Sequence, residues 1–147
     1  EGMSVKITQL KKADMAAVRD LNHLLTQLRE NPSEHAGSLS GLRNIVDDKK
    51  AIMIVAQDGT RIVGMATLYI ITKIGKTNGT VEDVVVDSAY RGQGLGKKIL
   101  QTLINVARAK KLRTLYLTSR PARVAANKLY QKLGFKLKET NPYTLRL

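Results

Sequence analysis

Residues 80–96 read Thr-Val-Glu-Asp-Val-Val-Val-Asp-Ser-Ala-Tyr-Arg-Gly-Gln-Gly-Leu-Gly, a β-branched run that ends in a glycine-studded turn and opens an apolar-periodic segment. Gly92, Gly94 and Gly96 remove Cβ atoms where the chain turns sharply, so successive backbone N–H groups can converge on an anion at the positive end of a following helix. Arg91 sets a fixed charge beside them. The chemistry this implies is the holding of a phosphate. On the strand before the turn, alternation puts Glu82 on one face with Val84 and Val86, and Asp83 on the other with Val85 and Asp87. A carboxylate flanked by valines is desolvated, which raises its pKa and suits it to proton abstraction; the competing role is a salt bridge to a neighbouring Arg or Lys.

Other chemistries are removed by composition. With no Cys, disulfides, thiolate metal sites and a cysteine acyl-enzyme are all excluded. His23 and His35 lie twelve apart with no HExxH spacing or clustered carboxylates, so they read as surface or helix-packing residues and no metal is expected. At 147 residues, 43% apolar and 25% charged, the chain reads as one soluble globular domain over 1–147. No apolar stretch approaches the ~20 residues that span a bilayer, so no membrane partner is expected. Glu1-Gly2-Met3 carries no basic-then-apolar leader. A cytoplasmic location is therefore expected, with Glu1 and Gly2 as residues added ahead of a Met.

The net charge of +13 is unevenly spread. Residues 1–87 hold 11 Lys/Arg against 11 Asp/Glu, whereas residues 88–147 hold 14 against the single acid Glu139. From Arg108 to Lys138 there are ten basic residues and no acid. A positive field around the phosphate cradle favours a multiply phosphorylated ligand over a merely solvated face, with nucleic acid as a further, less favoured option.

The elements that must position these residues follow from periodicity. Ser4–Gln9 alternates as a first strand, and Asp14 opens a helix carrying Ala17, Leu21, Leu24, Leu25 and Leu28 that stops before Asn31-Pro32. A second helix is predicted over Glu34–Val46. Residues 51–57 and 61–71 are β-branched runs joined at Asp58-Gly59 as an antiparallel hairpin, and the turn over Lys73–Gly79 leads into a strand over Thr80–Asp87. After the glycine turn, Ile99, Leu100, Leu103, Ile104 and Ala107 make one helix face. Thr114–Thr118 then returns parallel to Thr80–Asp87 in a βαβ unit. Pro121 suits an N1 position of a last helix stopped by Gly134, and Phe135–Lys138 with Tyr143–Leu147 form a closing strand pair.

The glycine spacing discriminates among nucleotide cradles. A dinucleotide fingerprint needs GxGxxG and an acid about 20 residues on, but this chain has GxGxG, Lys97, and Arg113 where the acid belongs. A P-loop needs GxxxxGK followed by Ser or Thr; Gly92–Lys97 supplies GQGLGK, then Lys98, with no hydroxyl for magnesium.

Arg91-Gly92-Gln93-Gly94-Leu95-Gly96 instead resembles the R/Q-x-x-G-x-G/A signature of the GNAT superfamily of acetyl-CoA-dependent N-acetyltransferases. Its context, a strand ending in Val86-Asp87 before and a helix after, is similar too. Leu129-Tyr130-Gln131-Lys132-Leu133-Gly134-Phe135 resembles the family's second hallmark, a helix end where Tyr precedes Gly-Phe. The resemblance covers Thr80–Lys138 closely. It implies an α/β (α+β) fold with a mixed central sheet of about six to seven strands flanked by about four helices.

The resemblance also implies the partners and the site. Acetyl-CoA would be the co-substrate, with backbone amides over Arg91, Gly92, Gln93, Gly94, Leu95, Gly96 and Lys97 on its pyrophosphate. The strand segment Val84, Val85 and Val86 would pair with the pantetheine arm through Val84 and Val86. Tyr130 would be the acid for the leaving thiolate, Glu82 the base for the attacking amine, directly or through a water, and an amide near Val84 the oxyanion donor. Many members carry an Asn seven residues before the Tyr; here Arg123 stands there, and Asn127 is the substitute contact, with Arg123 free to meet a phosphate instead. The acceptor would be a primary amine bound by the first helices, their loop and the neighbouring hairpin, including His35, Tyr69 and the Lys73–Asn78 turn, with Tyr143 on the same side. A homodimer is compatible with this. The rival reading is a non-catalytic module that senses acyl-CoA or binds nucleic acid, since fold alone does not fix activity.

Overall fold

In the computed structural model, residues 4–29 and 36–147 are described; the expected helix start at Glu34 and His35 lie outside them. The chain runs β1 (Val5–Gln9), α1 (Met15–Leu28), α2 (Leu39–Val46), β2 (Ala51–Asp58), β3 (Arg61–Lys73), β4 (Lys76–Val86), α3 (Leu95–Ala109), β5 (Leu115–Tyr116) and α4 (Val124–Lys132). One turn of 3-10 helix, Ser88–Tyr90, links β4 to the glycine turn. The five strands lie in sequence order across one sheet, antiparallel except for the parallel β4/β5 pair.

Burial explains the layering. Ala51 to Ala56 of β2 are all buried, as a central strand covered on both faces must be. On one face Ala17, Val18, Leu21 and Leu24 of α1 and Leu42 of α2 pack on Met53, Val55, Met65 and Val85. On the other, Leu95, Ile99, Leu100, Leu103 and Ala107 of α3 and Tyr130 of α4 cover Ile54, Ala66, Leu68 and Val81. The result is a helix–sheet–helix sandwich. Asp14 caps α1 as its sequence position predicts, its carboxylate accepting from Ala17 N at 2.8 Å; α2 is capped by Ser38, whose Oγ accepts from Gly41 N at 3.0 Å. The cap at Ser38 starts α2 at Leu39, later than the predicted Glu34.

Several boundaries differ from expectation. Asp58 pairs with Arg61, so the hairpin loop is Gly59-Thr60, and Lys73 pairs with Lys76, so Ile74-Gly75 alone makes the next turn. Asn78 and Gly79, expected in that turn, lie inside β4. Pro121 is not at N1, because α4 begins at Val124 behind Arg123. The strand pair over Phe135–Lys138 and Tyr143–Leu147 is absent: residues 135–147 carry no strand, and Leu137, Tyr143, Leu145 and Leu147 are exposed. The sheet therefore has five strands, below the six to seven expected. The physical reason is the lack of a ladder: β5 is two residues long and pairs with β4 alone.

Candidate active site

The site begins where β4 and β5 part. Their pairing is confined to Gly79 with Leu115 and Thr80 with Tyr116. Beyond Thr80 the strands diverge around a cleft of about 440 Å³ lined by Val81–Val84, Leu117–Pro121, Leu28, Arg123 and Tyr130. The free edge of β4 meets arginines rather than a strand: Arg123 Nη2 donates to Val84 O at 3.4 Å and Arg91 Nε donates to Val86 O at 3.1 Å.

A β-bulge corrects the alternation expected for the two carboxylates. Met65 pairs with Val85 and Thr67 with Glu82, so three steps on β4 oppose two on β3. Asp83 takes the extra position with φ of 53°, in the left-handed region. Both Glu82 and Asp83 consequently line the cleft, while Val85 and Asp87 keep to the α1 side. Glu82 is more solvent-exposed than its valine neighbours suggested. Its pKa is still raised, first by partial desolvation and then by the Asp83 charge. The Tyr69 hydroxyl is also pushed up by desolvation and by Asp83, Glu82 and Asp48, which places it in the same acidic neighbourhood.

Tyr130 closes the cleft from α4. It is 5% exposed and meets Phe135 edge-on with centroids 6.1 Å apart, so its ring has little freedom. Burial raises its pKa, whereas the charge and hydrogen bond of Arg123 lower it. Asn127 does not line the cleft; its Nδ2 donates to Arg120 O at 3.0 Å and so shapes the turn ahead of α4. Arg120 in turn donates to Leu28 O at 3.1 Å, tying that turn to the end of α1. Tyr143 lies in the exposed tail, away from the residues that line the cleft.

The glycine turn expected to hold a phosphate lies at the start of α3. Gly92 and Gly94 have φ of 80° and 76°, and Gly94 is an N-cap that offers no side-chain bond. The first intrahelical bond runs from Lys98 N to Gly94 O, which leaves the amides of Leu95, Gly96 and Lys97 without helical partners. No acid lies in that first turn, and Lys97 and Lys98 are exposed there. These features fit an anionic pyrophosphate. Gly96 has a packing role as well: a Cβ there would stand 3.3 Å from Leu129 Cδ2, so its absence lets α4 approach α3. Leu95 is buried in the core and Gln93 is exposed.

Asp87, expected as the end of the strand before the glycine motif, is the buried anchor of this turn. It accepts from Ala89 N at 2.9 Å and pairs with Arg61 at 3.3 Å and His23 at 3.4 Å. Gln27 of α1 accepts from Ser88 N at 2.8 Å beside it. Among the described residues no group of His, Asp and Glu is arranged to hold a metal, and no helix is long and apolar enough to cross a membrane.

Comparison with known proteins agrees with this geometry. The family model for the acetyltransferase (GNAT) family matches residues 18–135. A glucosamine 6-phosphate N-acetyltransferase of Trypanosoma brucei brucei is 34% identical, over 93% of this chain and 92% of that protein. A probable glucosamine 6-phosphate N-acetyltransferase 2 of Oryza sativa subsp. japonica is 33% identical, over 91% and 83%. The crystal structure of a Trypanosoma brucei acetyltransferase superposes with a TM-score of 0.77 at 30% identity, covering 98% of this chain and all of that one. The purely non-catalytic alternative falls with these likenesses.

Proposed function

The chain belongs to the GNAT acetyltransferase family and is an acetyl-CoA-dependent N-acetyltransferase; on that premise we propose that its acceptor is the amine of glucosamine 6-phosphate, acetylated by direct attack in a ternary complex. The observation that carries the acceptor is the end-to-end likeness to the trypanosomal enzyme of that name. The cleft supplies matching chemistry. Glu82 and Asp83 present negative charge to an amine, and Arg120, at the rim beside Leu28, presents positive charge to a phosphate.

The residues divide the work as follows. Amides of Leu95, Gly96 and Lys97 receive the pyrophosphate, with Arg91 and Lys97 adding charge. The free edge of β4 at Val84 and Val86 offers backbone groups to the pantetheine arm; a carbonyl with two lone pairs can accept from its arginine and from the ligand together. Glu82, directly or through a water, takes the proton lost by the amine, and the upward shift of its pKa by partial desolvation and Asp83 makes it a stronger base for that task. A backbone amide near Val84 faces the developing oxyanion. Tyr130 gives its proton to the departing sulfur. With no Cys in the chain, direct attack needs no cysteine acyl-enzyme.

The test is an acceptor panel read by mass spectrometry: glucosamine 6-phosphate, glucosamine, an aminoglycoside and a peptide with a free N-terminus, each with acetyl-CoA. The expected result is an N-acetyl product on the sugar phosphate, formed much more slowly on glucosamine. Acetylation of the peptide or aminoglycoside with none on the sugar phosphate would overturn the acceptor assignment.

A further inference from the structure

Arg123 does not stand where a phosphate ligand would be expected. It is the N-cap residue of α4 but caps nothing with its side chain. Its half-buried guanidinium instead lies in the cleft with Glu82, Asp83 and Tyr130, where it donates to Val84 O at 3.4 Å and stands near enough to the Tyr130 hydroxyl to lower its pKa. The cradle at the start of α3 has its own cations, Arg91, Lys97 and Lys98.

Which of the two groups can donate to the other is fixed by chemistry. A guanidinium has donors and no acceptor, so Tyr130 Oη must accept. That use of a lone pair leaves the O–H proton free to point at another acceptor in the cleft. The ring cannot turn the hydroxyl away, because burial and the edge contact with Phe135 hold it. A planar fork anchored on Val84 O suits this task better than a flexible ammonium.

We propose that Arg123 is a positioning residue for acetyl transfer, directing the Tyr130 O–H toward the leaving sulfur and holding the negative charge left on the Tyr130 oxygen. This rests on the transfer reading above. In the step, the amine nitrogen forms the C–N bond while the C–S bond breaks and its electron pair stays on sulfur. The Tyr130 O–H bond breaks, its proton passes to sulfur, and its electron pair remains on the oxygen facing Arg123. The surplus proton on nitrogen goes to Glu82 or a water, and the tyrosinate regains a proton from solvent. Burial of Tyr130 raises its pKa and Arg123 opposes that, so removing the guanidinium leaves burial unopposed.

The test uses Arg123→Gln, Arg123→Lys, Tyr130→Phe and the Arg123→Gln/Tyr130→Phe double variant, each checked for fold by circular dichroism. Phenolate absorbance is titrated without substrate, and the difference between proteins with and without the Tyr130 hydroxyl isolates that group. Arg123→Gln should raise its midpoint, with Arg123→Lys in between. In turnover, Arg123→Gln should lower kcat by about 10- to 100-fold with the KM for acetyl-CoA within about twofold, move the basic limb of the kcat profile up, and cost nothing further in the Tyr130→Phe background. An unmoved phenolate midpoint overturns the proposal even if no acceptor is found. A raised KM for acetyl-CoA with kcat intact overturns it in favour of a cofactor contact, and an undiminished cost in the Tyr130→Phe background in favour of a structural role. Loss of the Tyr130→Phe effect on turnover alone, with the midpoint still shifted by Arg123→Gln, would sink the acid role of Tyr130 and with it the use proposed for the pairing.

Discussion

Asp83 holds a left-handed backbone with φ of 53°, a conformation that costs a non-glycine residue about 1–2 kcal/mol. The bulge that demands it sets Asp83 outside the ladder, and both carboxylates line the cleft. Period-two alternation, read from Val-Glu-Asp-Val-Val-Val, separated Glu82 from Asp83, and nothing in those residue types announces an extra residue in the ladder. Asn tolerates the left-handed region, so Asp83→Asn removes the charge and keeps the bulge. Glu82 is raised by desolvation and then by Asp83, and a base works unprotonated, so activity is present above its pKa and lost as pH falls through it. Removing Asp83's charge lowers that pKa. The acid limb of kcat/KM in Asp83→Asn should therefore move to lower pH; an unmoved limb, with Glu82→Gln fully active, would assign the proton elsewhere. The turn before α3 was legible because glycines at 92 and 94 favour the positive φ that both adopt. Arg123's partnership with Tyr130 was not, because seven residues of separation do not show that a guanidinium folds back across the cleft.

At the scale of elements, the buried face of α3 fills the core while its uncapped start leaves backbone amides open to the proposed phosphate. The spacing of its apolar residues made that face readable in advance. Leu100 is 0% exposed, and Leu100→Ala should lose about 2–5 kcal/mol in urea unfolding; a loss under about 1 kcal/mol would mean that α3 does not anchor this layer. Gly94→Asp combines the strain of a Cβ at φ of 76° with a negative charge in the cradle. Acetyl-CoA affinity should fall by about 100-fold, which is roughly 2.7 kcal/mol, in a protein that still gives a folded spectrum. Undiminished binding by calorimetry would move the phosphate site away from α3. The closing strands were misread for a physical reason. Phe-Lys-Leu-Lys and Tyr-Thr-Leu-Arg-Leu have strand alternation, but a strand needs a ladder, and β5 pairs over two residues with β4 alone.

Across the whole molecule, the charge of +13 belongs entirely to residues 88–147, the part that builds the cradle, α4 and the far wall of the cleft. A field of that sign raises the local concentration of a phosphorylated co-substrate, and salt screens it, with a Debye length of about 10 Å at 0.1 M and about 3 Å at 1 M. The association rate of acetyl-CoA by stopped flow should fall steeply with ionic strength; a flat dependence would leave the charge with no part in capture. The order of elements and the βαβ crossover were readable from periodicity, whereas the parting of β4 from β5, which makes the cleft, arises only when the sheet is assembled. The bulge of β4 and the ring of Tyr130 from α4 line one cleft. The decisive measurement is kcat with glucosamine 6-phosphate alongside the acetyl-CoA Kd for Tyr130→Phe. The account predicts that kcat falls by about 10²-fold or more while Kd stays within about twofold; an unchanged kcat, or a Kd that weakens in step with it, would contradict acid catalysis by this residue.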